Sequence, residues 1–327
     1  MIDIYLKPDG RKRERVDERA LKAENLDRVL WIDIDSPTPK EEQIIKETVG
    51  VEIISKEEAR EIESTSKYCE MEQGVVANIN FYEPRDNDFK VEPISFILHG
   101  SNTLISIRHS ECEVFNETAR RVSVEKENKT SGQDIFMTLI EAHIDREADI
   151  MEMIAAQISD LSAAITRDDN IGKEVLKEIS LLQSKIITFR ENIFDLQRVL
   201  FSIRRSTRFS KTLQPRIQLV LQDIDSLINH ADFSFQRLDS VQDTALGLIN
   251  IEQNEIMKIF SIVAVIFMPP TLVASMYGMN FRYMPEIDWS YTTAAGTVIP
   301  LGYIFAIGLM LLLSGLMIWF CKFKKWI

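Results

Sequence analysis

Cysteine is scarce, 3 in 327 residues with no CxxC pair, which disfavours a disulfide framework and a clustered zinc site. Twelve Gly and ten Pro are too few for a collagen-like or low-complexity chain. GxGxxG, GxxxxGK[ST] and HExxH runs are missing, as is any nucleophile–base pairing, so no nucleotide cradle, no organic cofactor and no enzyme is expected. The opening MIDIYLKPDG lacks the apolar segment of a cleaved signal peptide. Positive charge is also short: 38 Lys and Arg face 50 Asp and Glu, for a net −12. The first 256 residues hold 33 of the bases and 48 of the acids. A body that acidic repels phosphate backbones, so a nucleic-acid partner is disfavoured and a cation partner is easier to accommodate.

The last seventy residues are different, because there charge of either sign almost vanishes. Lys258 and Arg282 are separated by 23 uncharged residues, and Asp288 and Lys322 by 33. Each run is long enough to cross a bilayer, and core helices rarely go so far without a charge. The spans are placed at 259–277 and 300–321, with Pro300 tolerated at a helix start. Lys258 precedes the first span, and Lys322, Lys324 and Lys325 follow the second. The positive-inside bias then puts both termini in the cytoplasm, in an inner or plasma membrane.

The remainder divides by hydrophobic period. Residues 1–130 read as an α/β domain. VLWIDID (29–35), VVANINFY (75–82), ISFILHG (94–100) and TLISIR (103–108) are strand-like, and PKEEQIIKETVG and SKEEAREIES helix-like, the latter with Ser55 and Glu58 as a capping pair. Residues 131–210 read as an antiparallel helix pair. Ile144, Met151, Ile158 and Ile165 recur every seven, and Val175, Ile179, Leu182, Ile186, Phe189, Ile193, Leu196, Leu200 and Ile203 alternate four and three. The four-three seam resumes at Ile217, Leu221, Ile224, Ile228, Ala231, Phe235 and Leu238. No stop signal follows, so 211–258 is expected to run as a helical stalk straight into the first span. From Pro215 to Met276 that helix extends about 93 Å. His143 and Glu147, four apart, read as a solvated helix face rather than a metal site.

Another face of the long helix reads Asn250, Asn254, Met257, Ser261, Ala264, Met268, Thr271 and Ser275, all amides, hydroxyls, small residues or thioethers. Such a stripe within a span is either a helix-packing surface or the lining of a water path. It continues into the stalk and meets YGMNF (277–281) at its outer end.

YGMNF directly after the first of two C-terminal spans, then MPEI (284–287) and the tail KFKKWI, resembles the CorA family of magnesium transport channels. The stretch INIEQNEIMKIFSIVAVIFMPPTLVASMYGMNF resembles the enterobacterial branch of that family. The resemblance implies an α+β membrane protein: a cytoplasmic α/β domain, a helix pair, a very long stalk helix continuing as the first span, and a second span. It implies a funnel-shaped homopentamer, and a Mg²⁺ influx channel that also passes Co²⁺ and Ni²⁺. Mg²⁺ is then both substrate and regulatory ligand. The selectivity mouth falls on Gly278, Met279 and Asn280, with Asn280 facing hydrated Mg²⁺ and Gly278 letting the backbone turn. Pore lining and gate fall on Asn250, Asn254, Met257, Phe260, Ala264, Met268, Thr271 and Ser275, with Ser261 the alternative to Phe260. Asp243 corresponds to a cytoplasmic funnel carboxylate. Glu286 in the outer loop (278–299) would concentrate cations, opposed by Arg282. Regulatory Mg²⁺ in the family bridges a carboxylate matched by Glu61 to a position that falls on Leu219, with Asp223 the nearest acid. The alternatives are a Zn²⁺ transporter of the related ZntB type, whose relatives usually read GVN, and a membrane-anchored coiled-coil scaffold that does not transport.

Overall fold

The computed structural model describes residues 2–6, 14–15, 29–49, 66–72, 74–85, 88–100, 103–124, 131–167, 172–280, 282, 284–286, 289–292, 298–324 and 326. They fall into two compact units, Met1–Gln242 and Asp243–Ile327.

The first unit is built on a seven-stranded sheet: β1 (Ile2–Leu6), β2 (Glu14–Arg15), β3 (Val29–Asp35), β4 (Tyr68–Met71), β5 (Gly74–Arg85), β6 (Asp88–His99) and β7 (Thr103–Arg108), in the order β2-β1-β3-β7-β6-β5-β4. Neighbours are antiparallel except β3 and β7, which pair in parallel, Trp31 opposite Leu104 and Asp33 opposite Ser106. Gly74 is required where β5 crosses β6, because a Cβ there would stand 2.1 Å from the Leu98 carbonyl oxygen.

Both faces of the sheet are covered, so β3 and β7 are apolar on both sides. On one face helix α1 (Pro39–Val49) adds Ile45 to a cluster of Ile2, Ile4, Ile32, Ile34, Ile105 and Ile107. A reciprocal cap starts α1: the Thr38 N–H donates to Glu41 Oε2 at 2.7 Å, and the Glu41 N–H to Thr38 Oγ1 at 3.4 Å. On the other face α2 (Glu113–Val124) and α3 (Gly132–Arg167) bring Phe115 and Phe136 against Trp31, Phe81 and Phe96, with ring centroids 5.3–6.1 Å apart. The buried polar residues of β3 and β7 satisfy each other there. Trp31 Nε1 donates to Ser106 Oγ (2.8 Å), Ser106 donates to Asp33 (2.7 Å), and Arg108 pairs with Asp33 (3.1 Å) and Asp35 (3.0 Å) beneath the Phe115 ring.

Helix α4 (Lys173–Arg205) docks on the β4–β5 edge through Phe189 against Tyr82, Asn192 to Asn80 at 3.2 Å, and a mostly buried Lys67–Asp195 ion pair at 2.5 Å. A short 3₁₀ turn, Lys211–Leu213, leads into α5 (Gln214–Tyr277), 64 residues or roughly 96 Å long. Helices α4 and α5 run antiparallel, since partners descend on one as they ascend on the other: Gln183 to Asp239, Arg190 to Asp232, Gln197 to Asp225. Arg216 ties the start of α5 to α3 through Glu141 (2.8 Å) and Thr138 (3.2 Å). The α3 positions of the seven-residue repeat are buried, as are the four-three positions of α4 from Ile179 to Ile203.

His143 and Glu147 correct an expectation. Their side chains are 2% and 1% exposed, so they lie in the core and not on a solvated face. The His143 ring stacks on Phe81 at 3.8 Å, its N–H donates to the Asn80 carbonyl, and its Nε2 stands 3.6 Å from Glu147. The period of α3 was read correctly, but the sheet behind it also covers this second face.

Burial holds His143 neutral by lowering its pKa to about 3. The unfolded chain takes up that proton near pH 6.5, before the folded one does, so stability is full above about 6.5 and falls as pH drops toward 3. Between those limits His143→Phe, which keeps the stacked ring, should flatten the pH dependence of the melting temperature. Parallel wild-type and variant curves would contradict this.

Candidate functional site

In the second unit, α5 is followed by two short paired strands, β8 (Ser290–Thr292) and β9 (Val298–Pro300), and by α6 (Leu301–Phe323). The described part of α5 and α6 are the two helices long and apolar enough to cross a membrane. The β8–β9 hairpin caps α6: the Gly302 N–H donates to the Trp289 carbonyl at 3.1 Å, and Trp289 meets Phe305 edge-on at 6.2 Å. This hairpin was not anticipated, although Ser-Tyr-Thr and Val-Ile-Pro flanking Gly296 carry the usual strand and turn composition.

Each helix has one less exposed stripe. On α5 it comprises Ile262, Val265, Ile266, Pro269, Pro270, Val273 and Tyr277, and on α6 Gly302, Ala306, Leu309, Met310, Leu313, Ser314, Met317 and Cys321. Each set keeps to one side of its helix. At 100° per residue the polar stripe of α5 is centred roughly 150° away from that less exposed face. The stripe residues Asn250, Asn254, Met257, Ser261, Ala264, Met268, Thr271 and Ser275 are all exposed. The chain's own second helix therefore does not occupy the polar stripe.

Asp243 lies on the same line, at the start of this unit, and is exposed. Ser261 falls about 30° from the centre of the stripe and Phe260 about 70°, so Phe260 stands on its flank. The two hydroxyls deep in the span have spent their protons locally. Ser261 Oγ donates to the Met257 carbonyl (2.8 Å) and Thr271 Oγ1 to the Phe267 carbonyl (2.7 Å). What these two hydroxyls present outward is lone pairs, so at Ser261 and Thr271 the stripe offers acceptors. Pro269 and Pro270 interrupt the ladder inside α5, leaving the carbonyls of Val265 and Ile266 without their usual donors.

At the C-terminal end of α5 the Gly278 N–H closes the last turn on Ala274 O at 2.9 Å, and Met279 and Asn280 follow, exposed. Gly278 does not take a left-handed φ, contrary to the conformational reason expected for it. Its reason is space: a Cβ would lie 3.1 Å from the Ala274 carbonyl oxygen. Glu286 is half-buried in a turn after Pro285, and Arg282 is exposed.

Of the two expected regulatory acids, Glu61 lies outside the described residues. Asp223 is exposed on α5, where its charge, with those of Asp149 and Glu141, adds to the effect of burial in raising the Asp145 carboxyl, against the pull of Arg121. A cavity of about 270 Å³ between α2 and α3 is lined by Glu113, Glu117, Asp145 and Asp149 together with Arg121 and Arg146. Arg146 pairs with Glu113 at 3.1 Å and Arg121 with Glu117 at 2.5 Å. Among the described residues no group of three or more His, Cys, Asp or Glu is arranged to hold a metal. Leu219 is exposed.

The family described as CorA-like Mg²⁺ transporter protein matches residues 27–325. The magnesium transport protein CorA of Wolinella succinogenes is 30% identical over 332 residues, covering all of both chains. That of Haemophilus influenzae strain 86-028NP is 32% identical over 314 residues, 95% of each. These relatives do not single out the enterobacterial branch. The fold matches the CorA magnesium transporter from Methanocaldococcus jannaschii, with a TM-score of 0.78 at 19% identity, over 100% of this chain and 98% of the other. With a family match across nearly its whole length, full-length relatives and a shared fold, the chain belongs to the CorA-like Mg²⁺ transporter family.

Proposed function

We propose that this chain is one protomer of a homopentameric channel that admits Mg²⁺ to the cytoplasm, and Co²⁺ and Ni²⁺ less specifically, down the membrane potential and the concentration gradient. In this reading 1–258 is cytoplasmic, comprising the α/β domain to 130, the helix pair to 210 and the stalk. Residues 259–277 and 300–321 span the inner membrane, 278–299 form the outer loop and 322–327 a cytoplasmic tail. One chain with two spans cannot enclose a path, so the stripe of α5 needs copies of itself around an axis. The single observation that carries the reading is the exposed polar stripe, turned roughly 150° from the less exposed face of α5.

Mg²⁺ dehydrates reluctantly and prefers six oxygens in an octahedron. Its bound waters are strong donors, so a path for the hydrated ion needs acceptors at spacings that fit the water shell. The Asn280 side-chain carbonyl at the mouth and the outward lone pairs of Thr271 and Ser261 provide them without a carboxylate in the span. Glu286 raises cation concentration outside, Arg282 offsets it, and Asp243 collects ions at the inner end. Below the hydroxyls, Met257 with Phe260 on its flank forms an apolar ring that expels water when narrowed, which suits a gate. Cytoplasmic Mg²⁺ closes the gate by joining neighbouring protomers through Glu61 and Asp223. Met279, where Zn²⁺ transporters of this superfamily usually carry Val, argues against a Zn²⁺ preference.

Asn280→Ala should lower Mg²⁺ uptake into proteoliposomes at least tenfold, about 1.4 kcal/mol or more of lost stabilisation, while the assembled species keeps its mass in detergent. Uptake at the native rate would remove Asn280 from the mouth. Flux with Mg²⁺, Zn²⁺, Co²⁺ and Ni²⁺ in competition tests the ion assignment. Glu61→Gln should shift current inhibition to higher internal Mg²⁺, and an unchanged titration midpoint would exclude Glu61 from the sensor.

A further inference from the structure

The last turn of α6 and the residues after it gather basic and aromatic side chains at one level. Trp319, Phe320, Phe323 and Trp326 are all exposed beyond two-fifths, and Lys322 and Lys324 are exposed as well. Trp319 and Phe323 stack at 5.7 Å, and Phe320 meets Trp326 edge-on at 6.2 Å. The chain does not run free after the helix. The Lys324 N–H donates to the Phe320 carbonyl (3.0 Å) and the Trp326 N–H to the Cys321 carbonyl (2.9 Å), which folds Trp326 back beside Phe320. From Trp289 to the C-terminus the sequence has three lysines and no acid, in a chain of net charge −12.

Aromatic rings with one polar edge prefer the boundary between hydrocarbon and headgroups, and lysines next to that boundary are attracted to anionic lipid. The acidic body would be repelled by the same surface, so the attraction is confined to this end. We infer that the inner end of α6 is a binding site for the phosphate headgroup of an anionic phospholipid of the phosphatidylglycerol type. Lys322 and Lys324 neutralise the phosphodiester, and Trp319 and Trp326 lie against the glycerol and upper acyl chain. The site rests on the proposed topology, with α6 ending at the cytoplasmic surface, but not on ion conduction.

The test uses the full chain in phosphatidylcholine vesicles, in a Trp289→Phe background so that the membrane tryptophans report from the inner end. Brominated phosphatidylglycerol at about 20 mol % should quench tryptophan fluorescence more than brominated phosphatidylcholine at the same fraction, because each lysine enriches anionic lipid roughly fivefold. Lys322→Gln, Lys324→Gln and Lys325→Gln together should abolish the preference, and the corresponding Arg triple variant should keep it. Equal quenching by the two lipids, or a preference that survives the Gln triple variant, overturns the site. Should the Gln variant not incorporate, the decision falls to the wild type in about 1 M NaCl, where screening must erase the preference and its persistence overturns the site. Loss of the preference on adding inorganic phosphate would mean a general phosphate site and would also overturn the lipid assignment. Mg²⁺ uptake by the same vesicles reads the transport proposal separately: failed uptake with intact lipid preference counts against transport alone.

Discussion

An α-helix satisfies most of its own backbone, and that property lets α5 continue from a stretch bonded to neighbouring helices into one apolar enough to cross a membrane. Over its 64 residues the hydrogen-bond ladder loses donors at Pro269 and Pro270. In the first unit the helix is held by side chains: an apolar seam against α4 flanked by Gln197–Asp225 and Arg190–Asp232, and Arg216 clasping α3. In the apolar part of α5 those means are gone, and the hydroxyls of Ser261 and Thr271 return their protons to the helix. At these two positions the backbone takes up the donors and leaves lone pairs facing outward, without any charged group.

The α/β unit shows the opposite economy. Its sheet buries charge deliberately: Asp33, Asp35 and Arg108 sit between Ser106, Trp31 and the Phe115 ring. Breaking one member would leave the others buried without a partner, at a cost larger than the net worth of the pair. Such a cluster fixes which strand lies beside which, because only the parallel register of β3 and β7 brings Asp33 opposite Ser106 and Asp35 opposite Arg108.

Much of this was legible in the sequence because the signals are periodic. The absence of charge from Ile259 to Phe281 and from Trp289 to Cys321 marked the spans, and the four-three seams marked α3, α4 and α5. The strands Val29–Asp35 and Thr103–Arg108 were recognisable for their β-branched runs. What escaped has a local cause. Ile2–Leu6 and Tyr68–Met71 are short edge or near-edge strands whose composition is mixed, and α2 breaks its apolar pattern with Asn116 and Thr118. His143 and Glu147 looked solvated because polarity was read from residue type, whereas the sheet buries a face that α3 alone would leave open. The crowding at Gly278, where a Cβ would lie 3.1 Å from the Ala274 carbonyl oxygen, escaped the sequence because a close approach is a matter of neighbouring atoms, which composition does not record. Periodicity did find the stripe from Asn250 to Ser275, but that its residues are all exposed, roughly opposite the less exposed face of α5, is a matter of three-dimensional placement.

Pro269 and Pro270 add a mechanical consequence. Two consecutive missing donors in the interior of α5 leave two carbonyls without their rungs, both on its less exposed side. Bending stiffness is therefore lowered at this point, ahead of the short last stretch of α5 that carries Thr271, Ser275 and the turn to Asn280.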